Sequence, residues 1–74
     1  MKITARQITN TAYEREHDKA PRGLGLWAVE VRYMDGSKVL VWASQTMNLG
    51  EAKKELAEKL SQDNKPILWV SVAP

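Results

Sequence analysis

The sequence predicts an α+β domain: a four-stranded, mostly antiparallel sheet with one helix packed on one face, in the order β-β-β-α-β. Three observations carry that prediction. Two β-rich runs flank Asp35-Gly36, residues 48–61 show helical periodicity behind a capping signal, and residues 67–73 form a further apolar run. A chain of 74 residues is expected to make a single domain, 1–74. At that size most of the large apolar residues are needed for the core.

Taken in order, residues 2–9 are rich in Ile and Thr and read as a strand that could run on to Tyr13. Residues 14–23 are a mixed-charge stretch punctuated by Pro21 and Gly23, and read as a long loop. Residues 24–34 and 37–44 then form a hairpin, because Asp-Gly between β-rich runs favours a tight turn. The turn admits two registers. A two-residue loop would pair Tyr33 with Lys38. A type I turn with Gly36 in the left-handed position would pair Tyr33 with Ser37. The second is preferred, because it gathers Trp27, Val29, Val31, Tyr33, Val39, Val41 and Ala43 on one apolar face. Glu30, Arg32, Lys38, Leu40, Trp42 and Ser44 then share the other face, and a one-residue slip would mix the two sets.

Residues 48–61 form the helix. Asn48 is a suitable N-cap, with Glu51 three residues on to complete a capping box and Met47 with Ala52 to form a hydrophobic staple. Leu49, Ala52, Leu56 and Leu60 recur along one narrow stripe, Glu55 and Lys59 are an i,i+4 pair, and Asn64 and Pro66 end the element. The run Ile67-Leu68-Trp69-Val70-Ser71-Val72-Ala73 is apolar on both faces and reads as an interior strand. The long passage through the helix allows it to run parallel to the strand at 37–44.

Composition narrows the chemistry. Without cysteine there are no disulfides, thiolate nucleophiles or cysteine-ligated metals. His17, the one histidine, sits among Glu14, Arg15, Glu16, Asp18 and Lys19, where interleaved cations oppose a metal site. Arg22-Gly23-Leu24-Gly25 precedes no helix start, so it does not read as a phosphate-binding loop. No cofactor is expected, and the protein is expected not to be an enzyme. No apolar h-region follows the N-terminus and no stretch is long enough to cross a membrane, so a cytoplasmic location without membrane association is expected. Eleven basic residues against nine acidic ones neither demand nor exclude nucleic acid.

The functional clue is asymmetry: one helix cannot cover both faces of four strands. Trp27 reads as core, whereas the strand face of Trp69 is undetermined. Trp42 stands with Arg32, Lys38 and Leu40 on the face away from the helix in the preferred register. In the other register, or with the N-terminal segment folded over it, Trp42 is core. An exposed tryptophan beside an arginine suits an interface anchor, so Arg32, Lys38, Leu40 and Trp42 are the expected partner-binding residues. The expected function is a small protein-binding module that docks its open sheet face or a sheet edge on a larger protein or on a second copy. Its size and style match phage and mobile-element accessory factors, including inhibitors of host defence.

The alternative is a nucleic-acid-binding module using Arg6, Arg32, Lys38 and the basic loop. The stretch from Gly25 to Leu60, with Gly25-Leu26-Trp27, the Asp35-Gly36 turn and an amphipathic helix, resembles the sheet-and-helix DNA-binding modules of AP2 domains and the arm-binding domains of tyrosine recombinases. That resemblance implies that the sheet enters the major groove, with Arg32 and Lys38 on DNA. Glu30 at the centre of the face and the apolar strand after Pro66 depart from it.

Overall fold

The computed structural model describes residues 2–73. Among the described residues are six strands: β1 (Ile8–Thr9), β2 (Leu24–Gly25), β3 (Ala28–Tyr33), β4 (Lys38–Trp42), β5 (Met47–Asn48) and β6 (Ile67–Val72). The helices are α1 (Thr11–His17) and α2 (Leu49–Ser61), with a 3-10 turn at Ala5–Gln7. The main sheet is α+β as expected, four-stranded in the order β1-β6-β3-β4, and β2 pairs with β5 in a small second sheet. β6 is antiparallel to β3, β3 is antiparallel to β4, and β1 is parallel to β6. β6 therefore runs in the same direction as β4, with β3 between them. No described helix is long and apolar enough to cross a membrane.

The hairpin adopts the bulged register. Gly36 has φ 92°, Gly36 N–H donates to Tyr33 O at 3.0 Å, and Tyr33 N–H donates to Ser37 O at 2.9 Å. The positive φ is available to glycine at little cost. Asp35 braces the turn by accepting from the Ser37 hydroxyl at 2.6 Å and the Ser37 N–H at 2.8 Å. Val29 then lies opposite Val41, and Val31 opposite Val39.

One face of the sheet carries the core. Val29, Val31 and Tyr33 of β3 join Ile67, Val70 and Val72 of β6, Ile8 of β1, and Leu56, Ala57 and Leu60 of α2 in a single cluster with Ile3. The helical stripe is wider than the sequence pattern suggested, because Ala57 also points inward. Met47, Ala43 and Ala52 form a satellite cluster with Trp27 against it, so the Met47–Ala52 staple is present. The Asn48–Glu51 capping box is not: the Asn48 side chain makes no capping bond. Asn48 is drawn into β5 opposite Leu24, and the Gly23 carbonyl takes the Leu49 N–H at 3.2 Å. That bond satisfies one of the first-turn donors of α2.

The N-terminal third differs most from expectation. The strand expected over 2–9 is reduced to Ile8–Thr9, preceded by the 3-10 turn in which Thr4 N–H donates to Gln7 Oε1 at 2.8 Å. The segment expected to continue as strand and then loop instead winds into α1. Asn10 O accepts the Glu14 N–H, and Asp18 ends the helix in the left-handed conformation with its N–H on Glu14 O. Asp is one of the few side chains that tolerate that conformation. β6 also carries a register shift against β3 between Arg32 and Tyr33, so Ile67, Val70 and Val72 all reach the core side.

Candidate protein-binding face

Strand alternation puts Glu30 and Arg32 of β3, Lys38, Leu40 and Trp42 of β4, and Trp69 and Ser71 of β6 on the face opposite α2. The four residues expected to bind a partner are therefore brought together, on adjacent strands. Arg32 is opposite Lys38 on one side and opposite Trp69 on the other. Trp42 is 51 % exposed and Leu40 50 %, so the alternative that Trp42 belongs to the core does not hold.

The face is only partly open, a refinement of the one-helix argument. Ser71 lies on it yet is buried, and its hydroxyl accepts the Ala12 N–H at 3.0 Å. α1 thus lies along β6 at the Ser71 end, while Trp42, Leu40 and Trp69 stay uncovered. Between them, Thr9, Thr11, Ala12, Arg15, Trp69 and Ser71 line a shallow groove. The N-terminal segment does fold over this face, and Tyr13 and His17 of α1 line one shallow concavity with Trp42, which stays half-exposed.

Two like charges sit side by side here: Lys38 has an acidic partner, whereas Arg32 bonds a carbonyl. Lys38 Nζ lies 3.4 Å from Glu30 Oε1. Arg32 Nη1 donates to Gly36 O at 3.2 Å, and its Nε is buried without a protein partner. The Lys38 side chain stays 55 % exposed beside Glu30, and the exposed apolar part of the face is Trp42, Leu40 and Trp69. Glu30, at the centre of the face, serves as Lys38's counter-ion.

The sheet's β4 edge completes the site. Among the described residues β4 pairs with β3 alone, so its other side is an edge. Lys38, Leu40 and Trp42 point their backbone N–H and C=O groups to that side, because Ala43 N–H to Trp27 O (2.9 Å) and Tyr33 N–H to Ser37 O fix the alternate residues as the ones bonded to β3. Lys59 Nζ reaches the Trp42 carbonyl at 3.1 Å. Val39, on the α2 side, is also exposed. β4 thus has an edge unpaired by any described strand, covered at Trp42 by Lys59, with Val39 exposed on one face and Leu40 and Trp42 on the other.

Trp69 was the residue whose role the sequence left open. Apolar residues alternate ambiguously through 67–73, and the irregular pairing at Arg32/Tyr33 that assigns the faces has no local sequence signal. The loop residues considered as metal ligands, Glu14, Glu16, His17 and Asp18, are exposed on and after α1. His17 stacks on Tyr13 with ring centroids 4.2 Å apart. Among the described residues no three His, Asp or Glu side chains are grouped to hold a metal. In comparison with known proteins, the chain matches no family model, no curated protein and no solved structure.

Proposed function

We propose that this protein is a non-enzymatic binding module that docks on a protein through β4 and the adjoining open face, with Trp42 and Leu40 as apolar anchors and Arg32 and Lys38 at the margin. One observation carries this reading: β4 is an unpaired edge strand whose Leu40 and Trp42 side chains are half-exposed. Monomeric proteins normally blunt such edges with charge, proline, bulges or a covering element. β4 holds one charge, Lys38, at its first position and no proline. An edge strand with flanking apolar side chains is the usual platform for strand addition, in which main-chain bonds give affinity and side chains give selectivity.

The half-exposed Trp42 and Leu40, with the Glu30 carboxylate at the centre of the same face, favour protein over nucleic acid as the partner, since a phosphate backbone is bound by clustered positive charge. The accessory-factor role in phage or mobile elements remains part of this proposal on grounds of size and style.

The test compares wild type with Trp42→Ala and Leu40→Asp, first for retained circular dichroism and melting temperature, then for association. Both variants are expected to fold and to lose association, because aromatic anchors can carry about 2 kcal/mol or more of binding. Undiminished association in both folded variants contradicts the proposal. Binding to random-sequence duplex DNA that falls steeply with salt would support the nucleic-acid alternative instead.

A further inference from the structure

We propose that the strand received by β4 is the β4 of a second copy, paired antiparallel about a two-fold axis at Leu40, so that two four-stranded sheets become one of eight strands. This inference rests on the reading of β4 as the docking edge and names its occupant.

The argument is one of self-complementarity. Three consecutive outward positions, Lys38, Leu40 and Trp42, offer backbone donors and acceptors along the edge. A two-fold axis at the middle one sets Leu40 opposite Leu40 of the second copy and Lys38 opposite Trp42 of the second copy, twice. Every outward residue of β4 then enters a hydrogen-bonded pair, the arrangement in which opposed residues exchange both bonds.

The side chains agree with that register. On the open face the two Leu40 side chains meet at the axis, and each Lys38 ammonium comes over a Trp42 ring, a favourable cation–π partner. Lys38 keeps Glu30 of its own chain beside it. On the α2 side Val39 stands opposite Val41 of the second copy, which covers the exposed Val39. No like charges oppose each other along the pairing.

Other registers fit less well. Sliding the strands toward their turns sets Trp42 against Gly36, which lies in the turn, and sliding further sets Lys38 against Lys38, a destabilising pair. Sliding the other way pairs Lys38 with Ser44, outside the strand. The isologous pairing is the one that uses the whole of β4. Lys59, itself well exposed, must give up the Trp42 carbonyl to a main-chain donor.

Sedimentation equilibrium tests this with wild type, Leu40→Pro and Leu40→Asp. Proline removes an N–H that faces away from β3, a position where edge strands tolerate it. Aspartate puts two carboxylates at the axis and guards against a proline variant that fails to fold. The expected result is a wild-type dimer, with the dissociation constant raised at least about tenfold in each variant that retains its circular dichroism. A wild type that stays monomeric to about millimolar concentration overturns self-pairing. So does a dimer unaffected by either substitution. If wild type is monomeric but captures another protein in a manner sensitive to Leu40→Asp, the docking edge stands and only its occupant was misassigned. If no association of any kind depends on Leu40 or Trp42, the docking edge fails as well.

Discussion

Val31 and Val39 face each other across the β3–β4 ladder on the same side of the sheet, yet Val31 is 0 % exposed and Val39 is 41 % exposed. One strand spacing separates a fully buried valine from a half-open one. α2 sits over β3 and β6 and leaves Val39 of β4 half-exposed, while Leu40 and Trp42 stand open on the other face beside an edge that no described strand pairs. On the proposed reading, stability and binding fall to different strands of one hairpin.

Mutational cost should follow that division. Leu56, with 1 % exposure, lies in the cluster with Val29, Val31 and Val70, so Leu56→Ala is expected to cost about 2–5 kcal/mol, as for other buried leucines. Val39→Ala should cost less than about 1 kcal/mol, since Val39 stays 41 % exposed and its truncation leaves no enclosed cavity. Urea denaturation of both variants checks the contrast. Equal losses would mean that α2 is not docked by the Leu56 stripe.

Trypsin should cut first after Lys19. α1 protects residues up to His17 only weakly, but the segment beyond is anchored further on: Pro21 is buried, and the Gly23 carbonyl accepts both Trp27 Nε1–H at 3.1 Å and Leu49 N–H. Cleavage needs local unfolding, which is easiest where backbone and side chains are exposed, at Lys19 and Ala20. Mass spectrometry of a brief digest reads the site. A first cut after Arg22 would contradict the anchoring.

Acid should destabilise the protein below about pH 4. The Ser37 hydroxyl, the Ser37 N–H and the Lys65 ammonium hold Asp35 at about 2, against an ordinary value of 3.8. Asp63 is lowered by the Lys65 N–H and the Tyr33 hydroxyl, and Glu55 by the Ser44 hydroxyl and N–H. Depressed folded-state values mean that the unfolded chain takes up protons first. Their stabilisation is therefore present above the ordinary carboxylate range and is lost as pH falls, for Asp35 through about 2. Tyr33 works in the opposite sense. Burial, followed by its bond to Asp63, raises it, so its contribution is complete below pH 10 and disappears at higher pH. Melting temperatures across the acid range should decline more shallowly in Asp35→Asn than in wild type, and Tyr33→Phe should remove the alkaline loss. A wild-type melting temperature flat down to about pH 2 would contradict the assignment of the carboxylates.

Where the sequence was legible, a residue's local chemistry decided its structure. Asp35-Gly36 marked the turn, and the segregation of Val29, Val31, Val39 and Val41 from Glu30, Arg32 and Lys38 selected the register that formed. Leu56 and Leu60 marked the buried side of α2. Where it was not legible, distant contacts decided. α1 has only Ala12 and Tyr13 turned inward, too few for a helical period, and it is stabilised by a hydroxyl 59 residues away, that of Ser71. Asn48 makes no side-chain cap on α2, and its backbone is held in β5 opposite Leu24, a pairing that no local pattern announces. Lys65 was invisible as a structural residue, yet it bridges Asp35 at 3.0 Å, donates to Ser37 Oγ at 2.8 Å and lies 4.5 Å above the Tyr33 ring, tying the turn to the start of β6. The faces of Trp42 and Trp69 followed from register, which alternation alone fixes for the first and not for the second.

The central claim is that β4 receives a strand, and amide hydrogen exchange tests it most directly. Val39 and Val41 bond to β3, whereas Lys38, Leu40 and Trp42 direct their amides to the open edge. In dilute solution the Val39 and Val41 amides should be protected and the Leu40 amide should exchange rapidly. As protein concentration rises, or as a protein partner is added, protection should appear at Lys38, Leu40 and Trp42 while Val39 and Val41 change little. Association that leaves the Leu40 amide as fast as in the dilute monomer would contradict strand pairing at β4.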